Sequence, residues 1–252
     1  GIKAHMLDIY RPEDSQEKIL PVIINVHGGG LIIGNKEFNR YFCALLCKKG
    51  FLVYSIEYRL IPDCLIYDQI ADVFIAMDYI KERLAADGGD SSHVYMAGDS
   101  GGACLITYAN AIQNNTNIAR AANVTPSGLR INALGLISGM FYTSRFDKIG
   151  LFLPKYLYGR DYKKTPFAKY VNPENRELLN SLAPVWLVTS HNDFLRRYIT
   201  DFEKALTRAE REHELVVFPK NKKLTHAFSV FEPFLPESSA VIDMMVEYLR
   251  KF

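Results

Sequence analysis

The sequence predicts an α/β protein, a mainly parallel sheet with helices on both faces, built as a single domain over residues 1–252. Three observations carry this prediction. Short apolar, β-rich runs alternate with helical stretches along almost the whole chain. Most of those runs are apolar throughout, as strands covered on both faces are. The 252 residues fit one large domain, and about half of them are apolar, which supplies a sizeable core.

The elements follow in order. AHMLDIYRP (4–12) alternates apolar and polar residues and reads as an antiparallel edge strand. PVIINVH (21–27) is a buried strand that runs into a glycine cluster. Residues 36–49 read as a helix stopped by Gly50, and FLVYSIEY (51–58) as the next strand. Ile70, Val73, Phe74, Met77, Ile80 and Leu84 recur at three- and four-residue spacing and predict a helix over 66–86. The series continues with strand 93–98, helix 101–114, strands 131–138 and 184–190, helix 197–210, strand 213–219 and a last helix over 237–250. Residues 139–183 break the alternation and are dense in aromatics, among them Phe146, Phe152, Tyr156, Tyr158 and Phe167. So long a connection usually carries a function or its own structure. We expect a small cap over a pocket; the alternative is that these aromatics pack the insertion on its own scaffold.

Thirty basic and twenty-eight acidic side chains leave a net charge of +2, which points to neither nucleic acid nor membrane lipid as partner. No run approaches the roughly 18 apolar residues of a membrane-spanning helix. Cys43, Cys47, Cys64 and Cys104 form no C-x-x-C pair and no zinc-spaced cluster, so buried reduced thiols and a cytoplasmic location are expected. The chain begins with Gly1, which leaves open a removed signal peptide. No metal or other cofactor is implied, and a homo-oligomer is left open.

The chemistry is carried by G-D-S-G-G, Gly98 to Gly102. On a trypsin-like β-barrel this string holds a nucleophilic serine, but His and Asp must then precede it. Upstream, His5, His27 and His93 have no convincing catalytic setting. A strand (HVYMA) precedes the string and a helix (ACLITYANAIQ) follows it, which is the context of a sharp strand-to-helix turn that lifts Ser100 above the sheet edge. Gly98 and Gly102 remove side chains that would collide around that turn. HGGG (27–30) follows the first buried strand, and no G-K-[ST] follows to make it a phosphate loop. Gly28, Gly29 and Gly101 are the expected donors of an oxyanion hole, with His27 a brace for the loop.

The acid is expected after the serine. Asp193 lies just past a buried strand in VWLVTSHNDFL; Asp201 is weaker because it falls inside a predicted helix. The base is expected last. His226 sits in LTHAF between the final strand and the final helix, whereas His191 is nearly adjacent to the acid and His213 begins a strand. The order Ser100, Asp193, His226 is that of an acyl-transfer triad on a strand-turn-helix scaffold.

With HGGG, EYRLIPD (57–63), GDSGG, NDFL (192–195) and THAF (225–228), the chain resembles the hormone-sensitive-lipase-like branch of the α/β-hydrolase fold esterases over nearly its whole length. The resemblance implies an α/β-hydrolase fold and hydrolysis of short-chain carboxylic esters, small-molecule substrates, without cofactor. Tyr58, Arg59 and Pro62 match a stretch that is structural in that family. The chain departs from the family at Gly101, where alanine is usual, so a looser turn is expected. It departs again at Arg196 and Arg197, where a second acidic residue often stands. It opens on a strand, so the N-terminal helical cap common in the family is missing or cut away, leaving 139–183 to cover the pocket. Amide hydrolysis of the arylformamidase or peptidase kind needs the same constellation, and a non-catalytic binding module needs only the fold.

Overall fold

In the computed structural model, which describes residues 3–15 and 18–252, seven strands form one sheet. Gly1 lies outside the described residues. The strands are β1 (Leu7–Tyr10), β2 (Leu20–Val26), β3 (Leu52–Ile56), β4 (Gly89–Asp99), β5 (Leu134–Ile137), β6 (Val185–Ser190) and β7 (His213–Phe218). Their order is β1-β3-β2-β4-β5-β6-β7. Only β1 is antiparallel, at the edge against β3 as its alternation predicts, and every other pairing is parallel.

The helices are α1 (Arg40–Lys48), α2 (Ile66–Arg83), α3 (Ser100–Asn114), α4 (Thr116–Ala122), α5 (Lys148–Phe152), α6 (Pro154–Tyr158), α7 (Arg176–Asn180), α8 (Arg196–Arg208), α9 (Phe228–Phe231) and α10 (Pro236–Leu249). The two-residue period of the strands divides their side chains between two cores. Val22, Ile24, Met96, Leu134 and Leu187 join the core that holds α2, α3 and α8. Ile23, Tyr95, Ala97, Trp186 and Val188 join the core that holds α1 and α10. Both faces are therefore covered, which is why the strands read as unbroken apolar runs. Helix α2 shows how a helix is held: Ile70, Val73, Met77 and Ile80 form a buried stripe, each side chain contributing about 1.5–3 kcal/mol. The Asp68 carboxylate accepts the Leu65 N–H at 2.8 Å and closes its first turn.

The elements differ from expectation at their ends. Helix α2 stops at Arg83, and β4 starts at Gly89. Helix α4 was not anticipated; Asn115 caps it, accepting from the N–H groups of Asn117 and Ile118. Between β5 and β6, residues 139–183 hold α5, α6 and α7 with two 3-10 turns. The aromatics there do two things. Phe141, Tyr142, Tyr158, Phe167 and Tyr170 are buried, with Phe141 stacked on Phe202 of α8 and Phe167 against Tyr108 of α3. Phe146, Phe152 and Tyr156 remain exposed. All four cysteines are unpaired; Cys43, Cys64 and Cys104 are buried and Cys47 is half-buried.

Candidate active site

Strand β4 ends at Asp99 and α3 begins at Ser100, so the chain reverses at the serine. Ser100 has φ +51, a left-handed conformation that costs a non-glycine residue about 1–2 kcal/mol. Crowding explains the glycines beside it. A Cβ on Gly102 would lie 2.2 Å from the Val26 carbonyl oxygen, and one on Gly98 would lie 2.8 Å from the same oxygen.

Three expected residues come together here. Ser100 Oγ lies 2.9 Å from His226 Nε2, and His226 Nδ1 lies 2.8 Å from Asp193 Oδ1. Asp193 is further held by its Oδ1 accepting the Leu195 N–H at 2.8 Å and its Oδ2 accepting the Thr189 hydroxyl at 3.0 Å. Burial works to raise the Asp193 carboxyl, but the hydrogen bond and charge of His226, with that backbone donor, hold it below the ordinary carboxylate value. It is thus an anion aimed at Nδ1, and Nε2 is left as the acceptor facing the serine hydroxyl. The loop of His226 is pinned where the Ala227 N–H donates to Ser138 Oγ at 3.1 Å. The other candidates stand elsewhere. Asp201 pairs with Arg145 at 2.9 Å, His191 meets Arg196, and His213 bonds to the Arg211 carbonyl.

The glycine loop corrects one expectation. The Gly28 N–H does not face the serine; it donates to Asp99 Oδ1 at 3.0 Å, inside the protein. The N–H groups of Gly29 and Gly30 have no protein acceptor among the described residues, and both glycines are partly exposed with φ of +105 and +64. Gly30 also approaches Gly101: a Cβ on Gly101 would lie 2.9 Å from the Leu31 nitrogen and 3.1 Å from the Gly30 nitrogen. The turn at Gly101 is therefore not looser, because the loop backbone occupies the space an alanine methyl would take. Gly101 lies in the first turn of α3, where N–H groups lack an intrahelical acceptor.

Residues that sequence reasoning missed hold this loop. Asp99 is fully buried and also accepts from Asn39 Nδ2 at 2.9 Å. Burial raises its carboxyl above the ordinary value, against the lowering effect of Asn39. Its signal was a charged residue inside an apolar strand end, next to the serine. His27 is the expected brace: its Nε2 bonds to Glu57 Oε1 at 3.0 Å, and its ring stacks on Tyr58 at 4.3 Å. The Tyr58 hydroxyl donates to the His27 carbonyl at 2.8 Å, and Arg59 pairs with Asp72, so EYRLIPD does structural work here.

Beside Gly30 opens an apolar pocket of about 340 Å³ whose walls include Ile32, Met140, Ile149, Phe152 and Tyr156. Met140 also touches the turn, its N–H donating to the Ser100 carbonyl at 3.0 Å. A larger cavity, about 840 Å³, opens far from this site among Asn114, Arg130 and Pro184, where strands begin, and holds none of the expected site residues. Among the described residues no cluster of His, Cys, Asp and Glu could hold a metal ion.

The alpha/beta hydrolase fold family matches residues 23–229. The chain belongs to that family. A probable isoprenylcysteine alpha-carbonyl methylesterase of Oryza sativa subsp. japonica is 29% identical over 184 residues, 69% of this chain and 44% of that one. Tuliposide A-converting enzyme 2 of Tulipa gesneriana is 31% identical over 113 residues, 40% of this chain and 30% of that one. The chain thus spans less than half the length of these curated relatives. Among solved structures, esterase B from Lactobacillus rhamnosis superimposes with a TM-score of 0.90 at 23% identity, covering 97% of this chain and 80% of that one. A bacterial heroin esterase gives 0.74 at 24% identity, covering 97% and 78%. At such identities the structures establish the fold. Among the described residues no helix is long and apolar enough to cross a membrane.

Proposed function

We propose that this α/β-hydrolase cleaves short-chain carboxylic esters by two-step acyl transfer, with Ser100 as nucleophile, His226 as general base and acid, and Asp193 as the anion that orients it. The observation that carries the reading is the unbroken hydrogen-bonded line from Asp193 through His226 to Ser100. His226 Nε2 takes the hydroxyl proton as Oγ attacks the ester carbonyl carbon. The carbonyl oxygen becomes an oxyanion, met by the N–H groups of Gly29, Gly30 and Gly101, each donor worth roughly 3–4 kcal/mol of barrier. The tetrahedral intermediate collapses, the C–O bond to the alcohol breaks, and the imidazolium protonates the leaving oxygen. Water, deprotonated by the same imidazole, then attacks the acyl-enzyme and returns Ser100 to its hydroxyl form.

Ester is favoured over amide because the relatives and structural neighbours carry esterase names. Residues 139–183 act as a small cap: α5 and α6 supply Ile149, Phe152 and Tyr156 to the pocket wall. A pocket of about 340 Å³ with half-open walls suits a short acyl chain. The unpaired thiols support a cytoplasmic location. The test is hydrolysis of p-nitrophenyl esters from acetate to decanoate beside formyl and peptidyl amides. Turnover is expected to peak among the short esters, with amides far slower. A peak at decanoate refutes the chain-length reading, and a preference for amides refutes the ester reading.

A further inference from the structure

Of the seventeen large apolar side chains exposed among the described residues, eleven lie in four places: residues 32–41, residues 146–156, Phe194, and residues 231–234. Three of these places adjoin the candidate site, and the fourth, residues 231–234, meets the first. Ile32, Phe152 and Tyr156 wall the pocket beside Gly30. Phe194 covers the His226 ring, 4.4 Å between centroids, and Phe234 meets Tyr41 edge-on at 5.5 Å. Apolar side chains exposed singly are ordinary; a group gathered around one opening marks a contact surface. Hydrolysis does not account for all of it. Phe146 is 91% exposed and Phe234 80%, and neither lines the pocket or touches the triad.

Cations stand beside these rings. Lys155 Nζ lies 4.9 Å from the centroid of Tyr156, and the Arg40 guanidinium 4.8 Å from that of Tyr41. Arg197 follows Phe194 closely in the chain and is 86% exposed, though it also pairs with Asp201 at 3.6 Å. Neighbouring carboxylates are engaged within the protein: Glu37 by Lys36, Asp147 by Tyr198 and the first turn of α5, Asp201 by Arg145. Glu232 is the exception, with no cation paired to it among the described residues. Aromatic rings flanked by ammonium and guanidinium groups suit a negatively charged lipid surface, where rings enter the interface and cations meet head groups. A second copy of the same face would set like charges against each other.

We infer that the face around Ser100 docks on an anionic lipid surface, which places the pocket mouth against the layer that supplies its ester. As an account of substrate delivery this rests on the esterase reading; the docking itself requires no hydrolysis.

The experiment is co-sedimentation of the full chain with vesicles of phosphatidylcholine, alone or mixed with phosphatidylglycerol. It compares the unaltered chain with Phe146→Ser/Phe234→Ser and with Arg40→Glu/Lys155→Glu. Hydrolysis of soluble p-nitrophenyl acetate and the melting curve report the fold of each variant. Binding is expected to need phosphatidylglycerol and to weaken with salt, and each double variant should lower it on the order of tenfold or more while acetate hydrolysis persists. The inference is overturned if vesicles are ignored, or if both variants bind as the unaltered chain does. It is overturned equally if sedimentation velocity shows a dimer that Phe146→Ser/Phe234→Ser dissociates, because a second copy then covers the face. Docking without hydrolysis of any ester refutes the esterase reading alone; hydrolysis of soluble esters without docking refutes this inference alone.

Discussion

His226 presents its Nε2 to Ser100 Oγ at 2.9 Å across 126 positions of chain, while its Nδ1 meets Asp193 at 2.8 Å. Each of the three lies beyond the carboxyl end of a parallel strand: Ser100 directly after β4, Asp193 shortly after β6, and His226 in the loop that follows β7. Parallel strands carry those ends to one edge of the sheet, so residues far apart in sequence share one site.

The two carboxylates considered for the acid should separate cleanly. Asp193→Asn keeps the shape but loses the anion that fixes the imidazole tautomer, and turnover should fall on the order of 10⁴-fold. Asp201→Asn, which loosens its ion pairs with Arg145, Arg197 and Lys204, should leave turnover on p-nitrophenyl acetate within about threefold. Steady-state kinetics of both variants decides; equal losses would show that the acid is misassigned.

Gly101→Ala installs the residue usual in the resembling family, yet here it should be harmful. The new methyl would press on the Leu31 and Gly30 nitrogens at 2.9 and 3.1 Å and push the donor loop away from the oxyanion. The turnover number should drop about tenfold or more with a smaller change in KM. An unchanged turnover number would mean that Gly30 is not a donor.

Asp99 gives a pH signature. Burial raises its carboxyl, so the folded chain keeps the proton to higher pH than the unfolded chain. Stability from this group is therefore full at low pH and declines as pH climbs from the unfolded value to the folded one. Asp99→Asn retains an acceptor for Gly28 and Asn39 but cannot ionise. Its melting temperature should exceed that of the unaltered chain by a few degrees at pH 7, roughly 2–4 °C per kcal/mol, and the gap should close in acid. Asp99→Ala, which strands the Gly28 N–H, should lower both stability and turnover. Thermal denaturation across pH tests the sign.

The wall of the pocket is tied to α8. The Tyr198 hydroxyl donates to Asp147 Oδ2 at 2.6 Å, and Asp147 Oδ1 caps α5 through the Ile149 and Gly150 N–H groups. Tyr198→Phe should free α5 and raise KM for butyrate or longer esters severalfold, with acetate turnover little changed. A chain-length series on the variant shows this as a change of slope.

Much of the site was legible because its chemistry imposes spacing. Gly98, Ser100 and Gly102 are forced by a crowded turn, and Asp193 and His226 by the order of strands. The candidate loop donors were not legible. Whether Gly28 or Gly30 faces Ser100 depends on Asp99 capturing the Gly28 N–H, a contact 71 positions apart. Asn39, which completes that contact, carries no local signal. The strands were legible because both faces are buried; α4 was missed because its seven residues lack a long apolar stripe and begin only where Asn115 caps them.

The most direct measurement is labelling by a fluorophosphonate probe, with the modified residue located by mass spectrometry. One stoichiometric adduct on Ser100 is expected, with no adduct on Ser100→Ala and a turnover loss on the order of 10⁶-fold in that variant. An adduct on another residue, or ester hydrolysis that survives Ser100→Ala, would contradict that expectation.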